Sequence, residues 1–413
     1  MNRLTKPLPD VLRARLGQPV AQLDTPSLVI DLDALERNVK RMADFAKRHG
    51  IRWRPHGKAH KSADLALSLM QAGAVGACVQ KTSEAEALAN GLVNNIYISN
   101  EVIDPAKLAR VARLARSLAA DNGRLAIAVD SLEGVQRLAA AMNDAAAEVA
   151  KSAPPDPAKL AEVAEPEALS IDVFVEIDVG QGRCGVAPGH AAVVLAVEIA
   201  RHPALRFAGL QAYHGGAQHI RDVAERRAVI ERAAAAVKHT IKQLDAAGIE
   251  VPLVTGGGTG SFALEAATGV WGEMQPGSFL FMDADYADNE RDPDAPQFEQ
   301  SLFVKSQVMS VSTEHAVCDA GHKSHAVDSG MPRVFRNGVG NDLIYSNGGD
   351  EHGILRAAEK GGALPRLGDT VWLIPGHCDP TINLHDHMFG VRGGLNDGIV
   401  ERLILIDARG AVS

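Results

Sequence analysis

Short apolar runs separated by longer stretches of helical spacing dominate the first 285 residues. Eight runs read as strands: residues 51–55 (IRWRP), 74–80 (AVGACVQ), 95–99 (NIYIS), 125–130 (LAIAVD), 172–178 (DVFVEID), 207–213 (FAGLQAY), 251–256 (VPLVTG) and 277–283 (GSFLFMD). Each is close to continuously apolar, as parallel strands covered on both faces should be. Between them, apolar positions recur with helical period, as in AERRAVIERAAAAVKHTIKQLDAAG. Eight strands alternating with helices over ~250 residues predict an α/β fold, a (β/α)8 barrel. An open doubly wound sheet is the competing architecture.

Upstream, TPSLVIDLDALERNVKRMADFAKRHG predicts a strand and then a helix, with Asp33 as its N-cap. The pattern changes in the last third. Short alternating runs (LFVKSQVMSV, TVWLIPG, HMFGVRGG, VERLILID), broken by Gly-Asp and Asn-Gly pairs, predict a smaller antiparallel β domain. The chain thus divides into an N-terminal segment (1–32), whose strand is expected to join the β domain, a barrel (33–285) and a C-terminal β domain (286–413). Residues 143–169 are rich in Ala, Pro and Glu and lack a wide apolar stripe. They read as an insertion on the outside of the barrel, partly helical and solvated.

Composition narrows the partners. A net charge of −9 leaves no basic surplus for a nucleic acid. Four scattered cysteines form no C-x-x-C pair, which argues against a disulfide framework or a zinc knuckle and fits a reducing cytoplasm. No run of ~18 apolar residues is present, so no membrane partner is expected.

The chemistry begins with WRPHGKAHKS, residues 53–62, which starts as the first barrel strand and carries five basic side chains. A lysine in a buried setting loses its proton easily and becomes an amine nucleophile. Lys58 and Lys61 compete for that role, and spacing alone does not choose between them. Barrel active sites form at the C-terminal ends of the strands. There the sequence offers Lys58, Gln80 with Lys81, Asn100 with Glu101, Arg183, Tyr213 with His214, the run TGGGTGS (255–261), and Gly277 with Ser278. In TGGGTGS the glycines let backbone N–H groups approach an anion, and Thr259 and Ser261 add hydroxyl donors. The position after a seventh barrel strand suits a phosphate. A reactive lysine and a phosphate cup together suggest pyridoxal 5′-phosphate.

TPSLVIDLDALERN, RPHGKAHKS, CVQKTSEAEAL, ISNEV, VEIDVGQGRCGV, AGLQAYHGGAQH, TGGGTGS, PGSFLFMDADY, DEHG and IPGHCDPTINLHD carry a resemblance. The chain resembles the D-threonine aldolase and D-serine dehydratase group of fold-type III pyridoxal-phosphate enzymes over nearly its whole length. GHCDPT and HGKAHKS look like the aldolases that cleave 3-hydroxy-D-aspartate. The resemblance implies an alanine-racemase-like barrel with a C-terminal β domain, usually paired as a homodimer. It implies that Lys58 carries the cofactor, that Arg183 meets the pyridine nitrogen, and that Gln80 and Tyr213 line the ring. Thr259, with Gly258, Gly277 and Ser278, would then surround the phosphate.

His377 and Asp379 are separated by one residue. On an extended segment they point the same way and could hold a divalent cation. H-x-D alone is equally a polar loop; the resemblance makes it a candidate metal site. The dehydratase branch resembles H-x-C, whose thiolate suits zinc. Here Cys378 is the middle residue and is expected to point away, leaving the hard oxygen of Asp379, so magnesium or manganese is expected, with calcium as the alternative.

The expected reaction is aldol cleavage of a β-hydroxy-D-amino acid to glycine and an aldehyde or glyoxylate, with the metal at the β-hydroxyl and His377 also available for proton transfer. Rivals are a D-serine or D-3-hydroxyaspartate dehydratase, a non-catalytic pyridoxal-phosphate carrier, and a metal-dependent hydrolase. A second substrate carboxylate would want a cation, for which Arg392, Arg333 and Lys323 are candidates. Lys58 falls on the barrel, and His377 and Asp379 on the β domain. Cofactor and metal are therefore expected to share no ligands.

Overall fold

The computed structural model describes residues 10–152, 170–335 and 342–413. After β1 (Ser27–Asp31), eight parallel strands follow: β2 (Arg52–Trp53), β3 (Ala77–Val79), β4 (Asn95–Ile98), β5 (Arg124–Val129), β6 (Ile171–Glu176), β7 (Leu205–Gln211), β8 (Val254–Gly256) and β9 (Glu273–Met274). They pair in the order β2-β9-β8-β7-β6-β5-β4-β3. A bridge between His56, just past β2, and Cys78 in β3 closes the ring. The closure excludes an open sheet.

Two sequence expectations shift. The eighth strand is Glu273–Met274 rather than 277–283; Ser278–Leu280 forms a 3-10 turn. The apolar run there is buried as a turn, and burial without periodicity does not distinguish a turn from a strand. Gly277 and Ser278 consequently follow the last strand. The cap of helix Leu32–His49 is Asp31, whose side chain accepts from the N–H groups of Asp33 and Ala34. Asp33 already lies in the first turn.

Alternation along the strands sorts the core into two layers. Ile96, Ile98, Ile127, Val129, Val173 and Val175 face the surrounding helices. Cys78, Tyr97, Ala126, Ala128 and Phe174 form a separate buried cluster on the opposite faces, in the barrel lumen. Each large apolar side chain buried this way contributes about 1.5–3 kcal/mol. The lumen also holds a polar chain. Tyr97 Oη donates to Gln211 Oε1 at 3.0 Å, Gln275 Nε2 donates to Gln211 and Thr255, and Thr255 Oγ1 donates to Glu273, which Arg54 binds at 3.1 Å. Buried polar groups linked end to end satisfy one another and fix the barrel floor.

The second sheet contains β10 (Leu302–Val311), β11 (Ala316–Cys318), β12 (Arg333–Phe335), β13 (Leu343–Asn347), β14 (Gly353–Ala357), β15 (Thr370–Ile374), β16 (His387–Arg392) and β17 (Ile399–Leu405). Its main path is β13-β14-β11-β10-β1-β16-β17, with β15 pairing β10 and β12. β1 lies inside this sheet, antiparallel to β10 and parallel to β16. Helix Leu132–Ser152 runs into the segment read as an insertion; residues 153–169 lie outside the described residues. Among the described residues no helix is long and apolar enough to cross a membrane.

Candidate active site

Past β2 the chain tightens into a 3-10 turn, Gly57–Ala59, capped by His56, whose Nδ1 accepts from the Lys58 N–H. His56 is buried, and burial together with the adjoining Lys58 pushes its imidazole well below the usual range. Its Nε2 lies 2.9 Å from the Gln80 side-chain amide, which also donates to Ser99 Oγ at 3.1 Å. Lys58 and Gln80 are thereby braced against one another across two strand ends.

The two lysines part company here. Lys58 Nζ reaches Asp379 Oδ2 at 3.0 Å, with 42% of its side chain accessible. Lys61 has a left-handed backbone (φ 51°), and its Nζ lies 2.7 Å from Glu84 Oε1 in a buried ion pair. Lys61 is therefore committed to packing.

His377 caps the short helix Cys378–Ile382. The segment is thus not extended, and strand alternation does not bring His377 and Asp379 together. They converge because a helix begins between them, leaving His377 Nε2 3.8 Å from Asp379 Oδ2. Nor does Cys378 point away: its Sγ donates to Asp379 Oδ1 at 3.3 Å.

Asp283, fully buried, completes the cluster. Its Oδ2 lies 2.7 Å from His377 Nδ1 and accepts from the Cys378 N–H at 3.0 Å, while Oδ1 accepts from the Tyr286 N–H at 2.9 Å. Burial pulls the His377 pKa down, but the bonds to Asp283 and the charge of Asp379 outweigh it and leave it raised. Burial also resists a charge on Asp379, yet Lys58 and His377 hold its carboxyl well below the ordinary range. Asp379 in turn holds the Lys58 ammonium well above the ordinary range for lysine.

Three consecutive residues tie these pieces to the glycine loop. A Cβ on Gly277 would lie 2.9 Å from Ala59 Cβ, so only glycine lets this strand exit rest on the lysine turn. Ser278 Oγ donates to Asp379 Oδ1 at 3.3 Å. The Phe279 N–H donates to Thr259 Oγ1 at 3.0 Å, which leaves the Thr259 hydroxyl proton available to an anion. In the loop itself, a Cβ on Gly258 would meet Gln218 Oε1 at 2.4 Å, and the Gly260 N–H donates to the same oxygen at 2.9 Å.

Arg183 stands in a loop clamped by Asp178, which accepts from Gly180 and Gly182, and by Asp130, which accepts from Gly185. Its guanidinium lies 5.5 Å from the centre of the half-buried Tyr213 ring, a cation–π distance. Burial raises the Tyr213 pKa. Glu176, at the end of β6, is buried beside Glu101, and burial with that neighbour pushes it far above an ordinary carboxylate.

The structure draws Lys58, Ser278, Thr259, His377 and Asp379 into one connected set, with Gln80 joined through His56. Arg183 and Tyr213 form a second contact pair. The three cations considered for a substrate carboxylate do not belong. Arg392 binds Asp33, Glu36 and Glu401, Arg333 binds Asp288, and Lys323 binds Asp350 and Glu351. Each already has a carboxylate partner at the surface, which a sequence does not disclose. Asp283 and Glu84 were missed. An acid directly after an apolar run, in FMDADY, is the one available signal for Asp283.

The donor set suits a divalent cation. An imidazole locked through Nδ1 on a buried carboxylate, with Nε2 aimed at a second carboxylate, is the arrangement that orients metal-binding histidines. The site also suits pyridoxal phosphate: an amine at one strand end, a glycine loop with an oriented hydroxyl at another, and an arginine–tyrosine pair past two more.

A closed parallel barrel with a lysine past its first strand, joined to an antiparallel domain, is the alanine-racemase type of protein; the family described as Alanine racemase, N-terminal domain matches residues 30–285. A serine dehydratase domain family matches residues 301–391. The chain belongs to the family of D-threonine and 3-hydroxy-D-aspartate aldolases. It is 41% identical to a 3-hydroxy-D-aspartate aldolase of Paracoccus denitrificans, over 95% of this chain and 94% of that one. It is 42% identical to a D-threonine aldolase of an Arthrobacter species, over 96% of each. The crystal structure of D-threonine aldolase from Filomicrobium marinum superposes with a TM-score of 0.86 at 44% identity, covering 97% of this chain and 99% of that one.

Proposed function

We propose that the chain is a pyridoxal-phosphate- and divalent-cation-dependent aldolase. It cleaves D-β-hydroxy-α-amino acids, of the D-threonine or 3-hydroxy-D-aspartate type, into glycine and an aldehyde or glyoxylate. The observation that carries this is the convergence of Lys58, His377 and Asp379, held together by the 277–279 segment. The similar aldolases support it.

In this reading Lys58 attaches the cofactor covalently. Thr259, Gly258, Gly277 and Ser278 surround its phosphate, Arg183 stands at the pyridine nitrogen, and Gln80 and Tyr213 line the ring. Pyridoxal phosphate supplies an electron sink for the charge left on Cα. A divalent cation supplies a Lewis acid that lowers the pKa of the β-hydroxyl. His377 and Asp379 hold that cation, and one imidazole with one carboxylate suits magnesium or manganese. Asp283 fixes the His377 ring so that Nε2 is left on the Asp379 side to hold the cation. Four free cysteines fit a cytoplasmic protein, and a homodimer is part of the same reading.

The test is a panel of D- and L-threonine, D-phenylserine, 3-hydroxy-D-aspartate and D-serine, scored for glycine with aldehyde and separately for ammonia. Glycine from the D-series is expected. Dominant release of ammonia would move the chain to the dehydratases instead.

A further inference from the structure

Beneath the glycine loop lies a carboxyl group with no part in the reaction just described. Glu265 is fully buried on helix Phe262–Ala267. A Cβ on Gly257 (φ 72°) would lie 2.2 Å from Glu265 Oε2, so the acid packs directly against the loop backbone and leaves room for nothing larger than glycine. Ser261 Oγ donates to that same Oε2 at 3.1 Å. Ser261 Oγ accepts in turn from Gln218 Nε2 at 2.6 Å and from the Gly258 N–H at 3.4 Å. Gln218 Oε1 accepts from the Gly260 N–H. Three side chains thus support three successive parts of the loop from below.

An acid is an unexpected choice for this place. Carboxylates repel phosphate, and repulsion is strong where water is excluded. Among the described residues no cation pairs with Glu265. Tyr213 is within reach of its charge, and the buried titratable groups on the adjoining strand and helix are Glu273 and Arg226. Glu273 is bound by Arg52 and Arg54, and Arg226 by the carbonyls of Ile220 and Glu290. Glu265 Oε1 is buried with no hydrogen-bond partner.

We propose that Glu265 is the positioning residue of the anion loop and that it supports Ser261, Gln218 and Gly257 as the neutral acid, so that phosphate-bearing ligands bind the protein only while Glu265 keeps its proton. The proposal rests on the assignment of this loop to the cofactor phosphate. Burial pushes the Glu265 carboxyl up to about 8, so the loss of its proton falls in an accessible range. Tyr213, raised above the ordinary phenol value by burial, titrates later.

The experiment uses the full chain and pyridoxine 5′-phosphate, which lacks the aldehyde and cannot react with Lys58. Its Kd is measured by calorimetry from neutral pH upward. Wild type should weaken by about tenfold per pH unit above pH ~8. Glu265→Gln, a neutral isostere, should bind as wild type does near neutrality and stay flat above it, whereas Glu265→Ala should bind weakly throughout. Equal slopes for wild type and Glu265→Gln overturn the proposal. If wild type does not bind the probe at any pH, the loop's assignment to the phosphate fails instead. Should Glu265→Gln not fold, infrared difference spectra of the cofactor-loaded wild type decide. In a Glu176→Gln background, which removes the other buried neutral carboxyl, a protonated-carboxyl stretch must persist in the loaded protein above pH ~8, and its absence there overturns the proposal.

Discussion

Lys58 Nζ and Asp379 Oδ2 lie 3.0 Å apart, so the barrel's reactive amine and the β domain's carboxylate touch directly. The contact couples the two candidate sites without giving them a common ligand. Asp379 keeps Lys58 protonated, and a protonated amine does not attack an aldehyde. In metal-free protein, Asp379→Asn should lower the Lys58 pKa and speed capture of pyridoxal phosphate at neutral pH; with metal restored, the variant should form no glycine. Stopped-flow absorbance against pH measures this. An unchanged pH midpoint would show the contact to be inert.

Lys58→Ala should remove the visible band that borohydride reduces. Lys61→Ala should keep it but destabilise the fold by about 3 kcal/mol, because Glu84 would be left buried and unpaired. Absorbance and denaturant unfolding of the two variants separate the roles, and the reverse pattern would transfer the cofactor to Lys61.

Asp283→Asn should weaken metal affinity by about 10–100-fold without displacing the cofactor, since it removes the carboxylate that orients His377. Metal titration with glycine formation as readout checks this. Full wild-type affinity would mean that the His377 ring is held by packing alone.

His60 gives the protein an acid-sensitive core. It is buried, its Nδ1 accepts from the Ser62 N–H, and burial lowers its pKa from 6.5 to about 4. Below pH 6.5 the unfolded chain takes up a proton that the folded chain refuses. Stability should therefore fall as pH drops from 6.5 toward 4, by about 3 kcal/mol from this residue. The slope of the unfolding midpoint across that range should become shallower in His60→Gln, with buried His56 supplying part of what remains. A wild-type slope in that variant would remove His60 as the cause.

Much of this was legible in the sequence, because a parallel barrel imposes continuous apolar runs and gathers its odd residues at strand ends. Gly258, Thr259, Lys58 and Gln80 stood out on that basis. The two-residue strand Glu273–Met274 did not, since so short a strand leaves no pattern and the apolar run after it drew attention instead. Strand alternation does not place Asp379, because a helix starts at Cys378. Asp283, Glu84 and Glu265 were invisible for a common reason. A buried acid is defined by partners brought from elsewhere in the chain, here His377, Lys61 and the glycine loop.

The interior place of β1 in the second sheet governs the order of assembly during synthesis. Ser27–Asp31 leaves the ribosome first, yet its neighbours Leu302–Lys305 and Phe389–Val391 follow roughly 270 and 360 residues later. At ~20 residues per second the strand waits over ten seconds with both edges bare. During that interval the nascent chain presents an apolar ribbon that other chains could pair with. A fragment beginning after the barrel would carry the same defect permanently, with a gap where β1 belongs, and should aggregate unless the N-terminal strand is supplied in trans.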